Sequence, residues 1–200
     1  MASIVDIWNT ALSNIGHKAN IADPDEQSAE ANHCRRFYPL ALNMSLERYA
    51  WSFATRREQL AEVENSARQW MFAYGMPNAC VAMRAVLPPE TTDDSMESPY
   101  SIEGDADGNL ILYTNQPAAV ARFTTLIEDT TKFTPLFVLA LAADLASLLV
   151  GPIPKDTRKR QEMQQLAIYY TGQAAANDAN NGQQSDRYTT FTPDHMRNRG

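Results

Sequence analysis

From Leu136 to Val150 the chain reads LFVLALAADLASLLV, an apolar run whose single charge is Asp144. At about 1.5 Å rise per residue, these fifteen residues span roughly 22 Å as a helix, short of a bilayer's ~30 Å hydrocarbon core. The run therefore predicts a buried helix and not a membrane span. Thr134 before Pro135 supplies an N-cap followed by proline at the first helical position. Gly151-Pro152-Ile153-Pro154 stops the helix. A helix that is apolar on every side must be surrounded, so the rest of the chain has to provide its neighbours.

Two hundred residues suffice for one large domain with a real core. The two cysteines, Cys34 and Cys80, exclude a disulfide scaffold, and a reduced setting is the default expectation. The N-terminus has no basic stretch and Asp6 interrupts its apolar pattern, so no secretory signal is expected.

The neighbours are amphipathic segments. Ile4, Ile7, Trp8, Ala11, Leu12 and Ile15 follow helical spacing and predict a helix over about 3–15, with Ser3 and Asp6 as a capping-box variant and Gly16 as its end. A second helix is expected over about 25–50, with Asp23 as N-cap, Pro24 at the first position and Glu26 at the third. Its two apolar stripes are Phe37, Leu40, Ala41, Met44 and Leu42, Leu46, Tyr49, Phe53. Pro39 should kink or split it. A fourth helix is predicted over about 156–179, with Met163, Leu166, Ala167, Tyr170 and Ala174 on one face.

Between about 52 and 128 the helical period disappears. Trp70, Phe72 and Tyr74 alternate, as do Val81, Met83, Ala85 and Leu87 before Pro88-Pro89. Residues 90–98 read as an exposed acidic loop. Tyr100 to Glu103 and Leu110 to Tyr113 flank an Asp-Gly turn, a hairpin signal, and 118–127 is a further β-prone run. The expected architecture is α+β, mainly α. A four-helix bundle (1–55 and 129–180) carries an inserted small antiparallel β domain (56–128), and a polar extended C-terminal arm covers 181–200.

The net charge of −7 has one source. Between Ala85 and Ala121 there is no Lys or Arg, but there are seven acids: Glu90, Asp93, Asp94, Glu97, Glu103, Asp105 and Asp107. The remainder of the chain is neutral. A protein that grips nucleic-acid phosphates needs the opposite sign.

The residue patterns that could carry chemistry are sparse. Asp105-Ala-Asp107-Gly-Asn109 offers alternate oxygens as a calcium loop does, but Leu110 and Gln116 stand where such a loop has Gly and Glu, so a plain hairpin turn is the preferred reading. His33 and Cys34 are adjacent on a helix and point about 100° apart, with no further ligand or orienting group in sequence, so neither a zinc site nor a Cys-His nucleophile is expected. Glycine-rich phosphate loops are missing from the sequence. Carboxylate pairs for glycoside hydrolysis can be drawn from the acidic stretch, as from any acidic loop. Lys155, Arg158, Lys159 and Arg160 cluster where a helix dipole disfavours cations, which suggests either a solvated surface or pairing with acids on a neighbouring subunit or partner.

The order of these pieces resembles the podovirus head-to-tail adaptors of the tail tubular protein A type. VDIWNTALSNIGHKANIADPDEQSAEANHCRRFYPLALNMSLERYAWSFATRREQL resembles their opening: a short helix with Asn-x-Ala-Leu and Ile-Gly, a loop, and a long helix. WMFAYGMPNAC resembles a Trp–Tyr–x–x–Pro–x–x–Cys strand, YSIEGDADGNLILYTNQ a hairpin, and FTPLFVLALAADLASLLVGPI the buried third helix. The likeness covers about 4–175 and leaves out the acidic loop and the arm.

The resemblance implies a helical bundle with a β insertion, assembled as a ring of twelve between the portal protein and a tail nozzle of the tail tubular protein B type. The ring extends the DNA channel in the virion and has no cofactor, metal or chemistry of its own. The chain would be made in the host cytoplasm, without membrane contact. Twelve copies would carry roughly −84 charges, a field that lets a polyanion slide without specific binding. The arm residues Arg187, Tyr188, Phe191, Arg197 and Arg199 are expected at the portal, since aromatic and Arg side chains concentrate interface energy. The competing classes are a peptidoglycan-cleaving tail factor, which needs a carboxylic acid of raised pKa in a cleft, and a head-completion or neck protein of a long-tailed phage.

Overall fold

The computed structural model describes residues 2–18, 20–90, 96–153 and 156–182. Among these it is mixed α and β, with four α-helices and two three-stranded antiparallel sheets. The helices are α1 (Ile4–Asn14), α2 (Ala29–Glu47), α3 (Pro135–Leu149) and α4 (Thr157–Gly182). The strands are β1 (Thr55–Gln59), β2 (Phe72–Gly75), β3 (Cys80–Leu87), β4 (Tyr100–Gly104), β5 (Leu110–Thr114) and β6 (Val120–Thr125).

α1 starts and stops as its sequence predicts. Ser3 and Asp6 form a reciprocal capping box, and Gly16 takes φ +78°, letting the His17 amide reach back to the Leu12 carbonyl at 3.0 Å. The Asn9 side chain then pairs with both backbone groups of Ile21, at 2.9 and 2.8 Å, and holds the following loop against α1.

α2 departs from expectation at its start. Asp23 caps a local turn instead, accepting from the Asp25 amide at 2.8 Å, and the helix begins at Ala29 under a Ser28 cap. Asx turns and N-caps use the same oxygen-to-amide chemistry, so the pattern alone did not distinguish them. The helix also runs unbroken through Pro39. Its buried stripe is Ala31, Cys34, Tyr38, Ala41, Leu42, Ser45 and Leu46, spanning both sides of the proline, while Leu40 is exposed. Packing of that stripe outweighs the ~3 kcal/mol that an interior proline costs.

α3 is the most enclosed helix, in contact with α1, α2 and α4. Phe137, Leu141 and Leu145 are fully buried. Leu136 and Leu148 of the same apolar run are only half-buried; Ala142, Ala146 and Leu149 take the inner positions. At its N-terminal end Trp51, Phe53 and Phe133 pack around Phe137 with ring centroids 4.9–5.0 Å away. Asp144 is buried in α3 and accepts from Ser45 Oγ at 2.7 Å and from the Arg48 guanidinium at 2.6 Å. α4 lies on α3 through Met163, Ala167 and Ala174, and continues through Gly182. Near its end, the buried Asp178 carboxylate accepts from the Ser52 amide and hydroxyl at 2.9 and 2.6 Å, capping the short 3-10 turn that leads into β1.

The middle segment forms two sheets where one was expected, in the orders β1-β6-β3 and β2-β5-β4. They share a core in which Tyr74 and Leu112 of the second sheet meet Val86, Ala121 and Phe123 of the first. β1, with sequence Thr-Arg-Arg-Glu-Gln, was not expected as a strand. It is an exposed polar edge, held by pairing with β6 and not by a buried face. β3 pairs with β6 across two register shifts, between Cys80 and Ala82 and between Met83 and Ala85. The extra residues, Val81 and Arg84, both leave the ladder toward the helices. Val81 packs on the helical core. Arg84 donates to the carbonyls of Leu46, Glu47 and Tyr49 at the end of α2.

Candidate interaction surfaces

The acidic stretch divides into three fates. Glu97 forms an ion pair with Arg122 of β6 at 3.1 Å. Glu103, Asp105 and Asp107 gather at the β4–β5 hairpin, and Glu90 is exposed beyond β3. Asp93 and Asp94 lie outside the described residues.

Asp105-Ala-Asp107-Gly-Asn109 forms the hairpin turn that its sequence predicts. One Asp105 carboxylate oxygen accepts from the Asp107 and Asn109 amides at 2.9 and 2.7 Å. The other accepts from the Asn109 side chain at 3.0 Å. Gly108 supplies the positive φ, +86°. These hydrogen bonds, first those from Asn109, hold the Asp105 carboxyl below its usual range. Its lone pairs are engaged in making the turn, and among the described residues no three His, Cys, Asp or Glu side chains gather as a metal site.

The basic turn opens α4. Asp156 accepts from the Arg158 and Lys159 amides at 2.9 and 3.3 Å, which offsets the unfavourable placement of cations at a helix start. Glu162 lies 3.5 Å from Arg158 and 3.8 Å from Lys159, and the Arg158 side chain remains 88 % exposed. Arg160 is also exposed. Lys155 and the arm residues Arg187, Tyr188, Phe191, Arg197 and Arg199 lie outside the described residues.

Of the groups that resemble catalytic machinery, Cys34 and Asp144 are buried and Cys80 is half-buried. Burial pushes the Cys34 thiol up to about 12 and also raises Cys80. Asp144 does have a raised pKa, because desolvation outweighs Ser45 and Arg48. It is 1 % exposed. No described helix is long and apolar enough to cross a membrane.

Three features escaped the sequence reading. No local pattern marks Arg84 or Asp178, and only the fold brings them to chain segments 35 and 126 residues away. Ile168 and Tyr169 of α4 are exposed at 66 % and 60 %. They stand out of phase with the buried stripe of that helix, a signal that was available. Comparison with protein-family models and with curated proteins returns no match.

Proposed function

We propose that the chain is a structural head-to-tail adaptor of a short-tailed bacteriophage, with no catalytic activity. In this reading the four helices form one bundle and residues 56–128 are a β domain inserted into it, with 181–200 as the arm. Copies form a ring, expected to be of twelve, between portal and tail nozzle in the virion. The observation that carries the reading is the element order: two helices, six strands in antiparallel sheets, then the enclosed α3 and the long α4. This is the arrangement that the resemblance in motif order implies. The net charge of −7 on each copy supplies the sign that keeps DNA sliding through a ring without being gripped. The arm meets the portal through Tyr188 and Phe191, with Arg187, Arg197 and Arg199 facing acids.

The test is negative-stain imaging of the purified chain mixed with its portal. The expected result is a coaxial ring on one portal face, lost when residues 181–200 are deleted. Portals that remain bare with the full chain refute the adaptor reading. A turbidity assay on purified cell walls checks the enzyme class: clearing by the wild-type chain, abolished in the Asp144→Asn variant, would replace the structural reading.

A further inference from the structure

The apolar face of the second sheet extends beyond what covers it. By register Ile102 pairs with Leu112 and Gly104 with Leu110, so Ile102, Leu110 and Leu112 share one face with Tyr74. At Tyr74 and Leu112 the first sheet closes that face. Toward the hairpin turn it is open, and Ile102 and Leu110 are 37 % and 55 % exposed. Leu110 also stands at the rim of a groove of about 520 Å³ on the other face of this sheet, lined in part by Val63, Ile111 and Tyr113, with Glu64 and Asp105 among its lining. The complementary surface is on α4. Ile168 and Tyr169 point away from α3, and Arg158 precedes Tyr169 by about 16 Å along the helix axis.

We propose that the β4–β5 hairpin end of one copy seats on the outer face of α4 of the next copy. Ile168 and Tyr169 enter the groove beside Leu110, and Arg158, on the same side of α4 as Tyr169, faces Glu103 and Asp107. The occupant is a second copy because each patch meets its opposite in both polarity and charge on the same chain. Exposed ion pairs contribute little net affinity, so the apolar anchors carry the contact and the charges orient it. Two different patches meeting head to tail give a heterologous interface, which closes into a ring when the rotation allows. The inference rests on the ring reading and assigns the surfaces that build it.

Leu110→Asp and Tyr169→Asp change exposed side chains, and circular dichroism checks that both variants keep the fold. In sedimentation equilibrium the wild-type chain is expected to self-associate, and each variant alone to do so roughly tenfold or more weakly. An equimolar mixture of the two is expected to stop at a 1:1 dimer, because one intact hairpin and one intact α4 face remain between them. Variants that associate as the wild type does, or a mixture with no dimer, overturn the contact and leave the ring reading standing. A wild-type chain that stays monomeric up to about 1 mM overturns the contact too, while rings seen on portals would still uphold the adaptor reading.

Discussion

Replacing Arg84 by methionine tests what joins the sheets to the helices. The guanidinium Nε donates to Thr124 Oγ1 at 2.9 Å. One of its terminal nitrogens lies 3.2, 2.8 and 2.9 Å from the carbonyls of Leu46, Glu47 and Tyr49. Those carbonyls are at the end of α2, where the helix leaves acceptors without intrahelical donors and the dipole favours a cation. Burial lowers the Arg84 pKa, yet an arginine stays protonated throughout the working range. Hydrogen bonds to a charged group are worth roughly 1.5–3 kcal/mol each when buried. Arg84 is only half-buried and its acceptors share few protons, so the whole set is set at about 2–4 kcal/mol. Methionine keeps the packing of the stem. For a chain of this length about 3 kcal/mol lowers Tm by roughly 6–12 °C. Urea unfolding followed by far-UV circular dichroism measures the loss, and Arg84→Lys should recover about half through its charge alone. A loss below about 1 kcal/mol for Arg84→Met would refute the tether, and so would full recovery by lysine.

Other outcomes follow from the same structure. Leu141→Ala empties a fully buried position on the most enclosed helix and should cost about 2–5 kcal/mol by urea unfolding; a loss below 1 kcal/mol would make α3 peripheral. Asp178→Ala leaves the Ser52 amide and hydroxyl without their acceptor and should cost about 1–3 kcal/mol, with hydrogen exchange rising first at the start of β1. Because the folded pKa of Asp105 is depressed, its contribution is present above the ordinary carboxylate pKa and is lost as pH falls through the lowered value. In an NMR titration the Asp107 and Asn109 amides should therefore shift together, with a midpoint below the usual carboxylate range; an ordinary midpoint would sink the account of the turn. Duplex DNA should show no measurable affinity at physiological salt, and tight binding with a steep salt slope in a filter or anisotropy assay would reverse the reading of the acidic stretch.

What the sequence by itself determined are the features whose cause is local. The capping box at Ser3, the Gly16 stop, the Thr134-Pro135 start and the Asp-Gly hairpin each depend on residues a few positions apart, and each formed where the pattern placed it. The all-round apolarity of α3 required a surrounding shell, which α1, α2 and α4 help supply. The charge segregation that defines the acidic hairpin was likewise visible in composition alone. Tertiary structure decided the rest. β1 has no apolar alternation and exists because β6 offers it a ladder. Helix α2 crosses Pro39 because its neighbours hold the buried stripe together. Asp178 became a cap for a turn 126 residues away, and Leu110 became an exposed overhang because the covering sheet ends short of it. The two bulges in β3 turn Val81 and Arg84 out of the ladder toward the helices. No periodicity marks such a bulge, because its position is set by where two strands and a helix end must meet.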